Sequence, residues 1–168
     1  DLYIDLLEKE KKPFILEVLT DSRAVTVFKE DAFSVLKNAD IPVNKIHVIH
    51  QSPFLPDAPV IDMRKTLGIR EQSAVFLLVG ALRKVKNYGM AIDVLKKAKR
   101  EHPSIHLLIA GAVIEESEFQ EVSRKISGED WIVYLGEVPR TSMRSLYHSV
   151  DAVLNTSQSE SENNATLE

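Results

Sequence analysis

Four short, nearly unbroken apolar runs govern what this chain can fold into: VFLLVG at 75 to 80, IHLLIAG at 105 to 111, WIVYLG at 131 to 136 and DAVLNT at 151 to 156. A strand with one wet face alternates apolar and polar residues. These runs do not, so they suit strands covered on both faces. Between them apolar residues recur at spacings of three or four: Ala91, Ile92, Leu95 and Ala98, then Phe119, Val122 and Ile126, then Met143, Leu146 and Tyr147. That is the spacing of a helix with one dry stripe. Strand and helix therefore alternate, and right-handed crossovers turn the alternation into an α/β fold, a doubly wound parallel sheet with helices on both faces. Ligands of such sheets lie beyond the carboxyl ends of the strands, which points to the residues after Val79, Ala110, Leu135 and Thr156.

Upstream, AVTVF at 24 to 28, a helical pattern from 30 to 38 and KIHVI at 45 to 49 predict one more strand, helix and strand. QSPFLPDAPV follows at 51 to 60, and its three prolines favour an extended connector over a helix or a central strand. A domain boundary is expected there, with residues 1–56 on one side and 57–168 on the other. A short helix from Met63 to Leu67, closed by Gly68, leads to the next sheet.

With 44% apolar residues the chain can bury a core. Its 21 Lys and Arg against 25 Asp and Glu leave a net charge of −4, no footprint for nucleic acid. Cysteine is absent, which excludes disulfides and thiolate metal sites, and the apolar runs are too short to span a bilayer. A soluble, cytoplasmic chain is expected. His47, His50, His102, His106 and His148 show no metal spacing, and no Asp-x-Asp pair is present to hold a cation on a diphosphate, so no metal is expected. The dinucleotide, P-loop and nucleophile-elbow signatures are all missing.

Three stretches could carry chemistry. After the strand at 75 to 80 the chain reads GALRKVKN, placing Gly80, Arg83 and Lys86 just before a helix. Cations beside free helix N–H groups suit an anion such as a diphosphate, although solvated loop lysines would read the same way. At the other end, TSQSESENNATLE carries Glu160 and Glu168 with Asn155, Ser157 and Ser159 nearby. A carboxylate there could accept two sugar hydroxyls, and a plain polar loop with a helix cap is the competing reading. The third is Gly136 with Glu137, Val138 and Pro139, a strand-to-helix turn whose exposed backbone could read the edge of a base.

Taken in order, VGALRKVKN, LLIAG, YLGEV and SQSESENNATLE resemble the C-terminal domain of family 4 glycosyltransferases from about residue 75 to the end. The family pattern there is GRLxxxKG, a strand ending in Gly, FLGxV and SxSEGFGLPxLE. Residues 24 to 56 resemble the end of the family's N-terminal domain, and ALRKVK is most similar to the glycosyltransferase 1 domain-containing protein 1 group. The resemblance implies a GT-B-type, Rossmann-like doubly wound parallel sheet. Without an initiator Met, and with Glu168 inside a helical pattern, it is expected to be incomplete at both ends. The same alignment divides the chain into the end of an acceptor-side domain with its connector, 1–56, and part of a nucleotide-sugar-binding domain, 57–168.

The implied activity is metal-independent transfer of a hexosyl group, with retention, from a nucleotide-sugar donor to an unknown acceptor. No cofactor is implied; the donor is a substrate, with a UDP-sugar first in rank. Lys86 matches the lysine that neutralises the diphosphate, Glu160 the first Glu of E-x7-E, which contacts the sugar, and Glu168 the second, which grips the ribose. Val138 lies where the family contacts the base through its backbone. Gly80, Ser159, Thr166 and Leu167 complete the expected donor site, and Arg83 is assigned the second phosphate cation because the family's Arg is Ala81 here. Glu160, Lys86 and Arg83 are the expected catalytic groups, and the isolated fragment is expected to be inactive. Ser161 and Asn163 replace the glycines of EGFG. These three departures support one alternative, a non-catalytic nucleotide-sugar-binding paralogue; the other is a doubly wound domain with a structural or partner-binding role, whose polar loops bind nothing.

Overall fold

The computed structural model describes residues 12–49 and 56–158, which belong to two compact units. The first contains α1 (Lys12–Asp21), β1 (Val25–Val27), α2 (Glu30–Asn38) and β2 (Ile46–Val48). Its two strands are parallel, with Val25 opposite Ile46 and Val27 opposite Val48. Helix α2 starts with Glu30 and Asp31 and ends with Lys37, charges that complement its dipole, and it buries Leu36 against Val27, Ile41 and Ile46. The expected strand, helix and strand are present, and α1 is an addition for which the sequence offers no acidic first turn and no basic last turn.

From Pro56 the second unit is irregular, as Pro56 and Pro59 favour, until Asp62 accepts a hydrogen bond from the Arg64 N–H (3.0 Å) and starts α3 (Met63–Thr66). Leu67 closes this helix one residue earlier than the sequence suggested, and the Gly68 N–H bonds back to the Lys65 carbonyl (3.2 Å). Then follow β3 (Ala74–Val79), α4 (Tyr88–Glu101), β4 (Ile105–Ala110), α5 (Glu116–Ile126), β5 (Ile132–Gly136), α6 (Arg140–His148) and β6 (Ala152–Leu154). The strands pair in parallel in the order β5-β4-β3-β6, with Leu77 opposite both Leu108 and Val153.

Pleating sends alternate residues of each strand to opposite faces. Leu78, Leu107 and Ile109 pack beneath Tyr88, Ile92 and Leu95 of α4 and Val122 of α5. Val75, Leu77, Leu108 and Ala110 pack on the other face against Met143 and Leu146 of α6 and Met63 of α3. Each fully buried aliphatic side chain contributes about 1.5–3 kcal/mol of transfer energy, so the unbroken apolar runs are the sequence form of this three-layer core. The doubly wound parallel sheet read from the sequence is the fold observed.

At the amino-terminal edge of the sheet, Arg64 ties several elements together. Its guanidinium donates to the carbonyls of Ser149 (2.8 Å), Glu71 (3.0 Å) and Ser73 (3.1 Å) and to the Asp151 carboxylate (2.8 Å). The same carboxylate oxygen accepts from the Val75 N–H (2.7 Å). This bond, with Arg64 beside it, holds the Asp151 carboxyl below its ordinary value.

Candidate functional site

The strand order locates the site. From β3 the chain steps to β4 and β5 and then returns to the other side of β3 as β6. Loops leaving the carboxyl ends of β3 and β6 therefore diverge, and the crevice between them is where such sheets take ligands. It is lined by Leu78, Val79, Lys86 and Tyr88 from one side and by Leu154, Asn155, Thr156 and Ser157 from the other.

Local chemistry shapes this crevice. Gly80 leaves β3 with φ +139, a backbone region closed to other residues, and the Lys86 chain lies over it: a Cβ on Gly80 would stand 3.5 Å from Lys86 Cε and 3.7 Å from Nζ. Residues 84 to 86 form one 3₁₀ turn, after which Asn87 takes a left-handed conformation (φ 54) and opens α4. Asn tolerates that region better than most residues with a side chain. Tyr88, almost fully buried, donates its hydroxyl to the Gly80 carbonyl (2.7 Å).

Neighbouring loops hold the turn. The Thr156 hydroxyl is shared between the carbonyls of Lys86 (3.0 Å) and Asn87 (3.2 Å), and the Gln158 N–H donates to the Val85 carbonyl (2.8 Å). Asn155 accepts from the Ser157 N–H (3.1 Å) in a local turn. These bonds explain why β6 stops at Leu154, short of the Asn155 and Thr156 included in the expected run: both residues turn away from the sheet. On the other flank, the Leu82 N–H donates to the Ala112 carbonyl (2.8 Å), and the Leu82 carbonyl accepts from the Glu115 N–H (3.0 Å).

Of the residues expected to act, Gly80 and Lys86 stand together in the crevice. Arg83 is exposed at the start of the turn. Val138 lies in the β5–α6 turn beside Gly136 (φ 70), and it packs against the cluster of Met143 and Leu146. Ser159, Glu160, Thr166, Leu167 and Glu168, with Ser161 and Asn163, lie outside the described residues. The structure adds Thr156 and Glu115, whose partners are distant in sequence, and Tyr88, whose partner Gly80 lies one loop back. Asn87, between a lysine and a helical pattern, was the one local signal of a special turn.

A hollow of about 580 Å³ lies at the opposite end of the sheet, between the loops that precede β3, β4 and β5, lined by Arg70, Ser73, His106 and Trp131 among others. It faces the wrong strand ends for the chemistry above. Among the described residues no group of His, Cys, Asp or Glu is arranged to hold a metal, and no helix is long and apolar enough to cross a membrane.

A parallel sheet with this switch point is a Rossmann-like fold, and solved structures place it in the GT-B class. The Anabaena protein HepE, solved in complex with UDP and glucose, superposes with a TM-score of 0.77 at 17% identity, over 92% of this chain and 44% of that one. Sucrose-phosphate synthase from Thermosynechococcus elongatus gives 0.72 at 16% identity, over 96% and 43%. The pattern of the family described as glycosyl transferases group 1 matches residues 60–168, and this chain belongs to that family. Glycosyltransferase 1 domain-containing protein 1 of Xenopus tropicalis is 26% identical over the whole chain and 51% of its own length. An uncharacterized glycosyltransferase of Methanocaldococcus jannaschii is 25% identical over 82% of this chain and 35% of its own length. The chain thus spans about half of one of these curated relatives and about a third of the other.

Proposed function

We propose that this chain supplies the donor-binding side of a retaining, metal-independent, cytoplasmic glycosyltransferase that moves a hexosyl group from a nucleotide sugar, a UDP-sugar first in rank, to a separate acceptor. In this reading residues 57–168 belong to the nucleotide-sugar domain and residues 1–56 to the end of the acceptor-side domain and its connector. The observation that carries the reading is the position of Lys86, folded over Gly80 at the switch point between β3 and β6.

The chemistry follows from charge. As the glycosidic bond to the diphosphate breaks, negative charge accumulates on the leaving group, and a fixed cation lowers the barrier because it is already oriented. Lys86 takes that role, with Arg83 as the second cation in place of the missing Arg at Ala81. Glu160 faces the transferred sugar, Glu168 the ribose hydroxyls, and Val138 the base through its backbone. Ser159, Thr166 and Leu167 complete the donor site.

Titration of the full-length protein with UDP, GDP, ADP and their sugars, beside Glu168→Ala, tests this reading. One nucleotide is expected to raise the melting temperature selectively, and the variant to abolish the rise. No shift with any nucleotide would remove the donor site. Ala81, Ser161 and Asn163 favour a second reading, a nucleotide-sugar binder without transfer activity. Donor hydrolysis separates the two, since a binder would leave the sugar nucleotide intact.

A further inference from the structure

We propose that Glu115 is a positioning residue for the cation loop: its carboxylate caps the 3₁₀ turn at 84 to 86 from a neighbouring strand end and so fixes where Arg83 and Lys86 present their charges. The inference rests on the donor-site reading above and extends it to a residue in a different loop.

Glu115 immediately precedes α5, in extended backbone (φ −114, ψ 111), where a side chain ordinarily accepts a hydrogen bond from its own helix. It makes no such bond. Its Oε2 instead accepts from the Lys84 N–H at 3.0 Å, across 31 residues of sequence. The need for this bond is local. Arg83 occupies the capping position of the 3₁₀ turn, and a guanidinium has no acceptor to offer the free N–H groups behind it. Glu115 provides the missing acceptor in trans.

The bond matters because of what it steers. Arg83 and Lys84 are exposed, so packing does not orient them, while Leu82 just before them is fully buried. The loop after β4 grips Leu82 through its backbone, with its N–H donating to Ala112 and its carbonyl accepting from Glu115. The loop after β6 grips the far end at Val85, Lys86 and Asn87. Lys84 lies between the two grips, and Glu115 closes that gap. A carboxylate is an odd choice beside a diphosphate, since its charge opposes the ligand's. Position and charge therefore act in opposite directions, which makes them separable.

Three proteins decide the matter, the full-length wild type, Glu115→Ala and Glu115→Gln. They are compared by hydrogen exchange of the peptide covering residues 83–87, by melting temperature and by calorimetric titration with UDP. In Glu115→Ala the Lys84 amide is expected to exchange about tenfold faster or more, because a charge-assisted bond guards it, and UDP to bind about five- to tenfold more weakly. The melting temperature should move little. Glu115→Gln keeps an acceptor for the Lys84 N–H without the charge, so exchange should return most of the way to the wild-type rate and UDP should bind at least as tightly as to the wild type. Tighter UDP binding by Glu115→Ala would show that only the charge matters and would overturn the proposal, as would unchanged exchange or failure of the Gln variant to rescue. If exchange responds as expected but the wild type takes up no UDP, the donor reading is what has failed, and the positioning role falls with it.

Discussion

Gly111 presses its backbone against the carbonyl oxygen of Gly80: a Cβ built on Gly111 would stand 1.7 Å from that oxygen and 2.6 Å from the Gly80 carbonyl carbon. No rotamer change can relieve such an overlap, because both partners are backbone. The loops leaving β3 and β4 run at this separation only because Gly111 has no side chain.

Gly111→Ala is therefore expected to destabilise the protein by about 3 kcal/mol or more, near the upper end for single substitutions, since the loops must move apart. Urea unfolding would measure it. The displaced loop begins at Gly80, so UDP affinity should fall in the same variant even at temperatures where it stays folded.

Thr156→Val conserves shape and removes the hydroxyl shared by the Lys86 and Asn87 carbonyls. A cost of about 1 kcal/mol is expected, together with looser binding of UDP, whereas Thr156→Ser should behave as the wild type. Equal stability of the Val and Ser variants would show that the hydroxyl does not hold the turn.

The Asp151 carboxyl is held below its ordinary value by the Val75 N–H and Arg64. For an acid whose folded pKa is depressed, the stabilisation is fully present above the unfolded pKa and lost as pH falls through the folded one. Wild-type stability should thus decline from the usual aspartate range, near pH 4, downward, with a shallower decline in Asp151→Asn. The carboxylate is about half exposed, at 52%, so solvent screening limits the loss in that variant at pH 7 to about 1 kcal/mol. Arg64→Ala, which strands three carbonyls as well, should cost about 2–3 kcal/mol.

Glu118 shows the opposite sign. It is buried on α5, and desolvation, then the neighbouring Glu121 and Glu115 carboxylates, raise its pKa. A raised folded pKa makes an ionised carboxyl destabilising at neutral pH, with the penalty relieved as pH falls through that value. Glu118→Gln should stabilise the protein at pH 7 by about 0.5–1 kcal/mol and lose that advantage in acid. Thermal melts at pH 7 and pH 4.5 would check both halves.

The layers of the fold were legible because they rest on local pattern. Runs such as VFLLVG and IHLLIAG announce strands buried on both faces, and Ile92 with Leu95, or Met143 with Leu146, announce the helices that cover them. The turn that brings Lys86 back over Gly80 could be anticipated from GALRKVKN, and its neighbours follow from the strand order. What could not be read depends on pairings that no local pattern announces. Tyr88 looks like one more core aromatic until its hydroxyl is seen on the Gly80 carbonyl, and Glu115 looks like an ordinary acid ahead of a helix until its partner, Lys84, is known. The early end of β6 has the same origin, since Thr156 leaves the sheet for bonds to residues about seventy positions away.

In the proposed donor site, Lys86 meets the diphosphate of the nucleotide at the β3–β6 switch point. Calorimetric titration of UDP and of uridine into the full-length protein and its Lys86→Met variant tests it most directly, since Met keeps the stem over Gly80 and removes the charge. The wild type is expected to prefer UDP over uridine by about a hundredfold and the variant by about tenfold or less, with uridine affinity unchanged, as a charge-assisted contact of about 1.5–3 kcal/mol requires. An unchanged preference for UDP in Lys86→Met would contradict the claim.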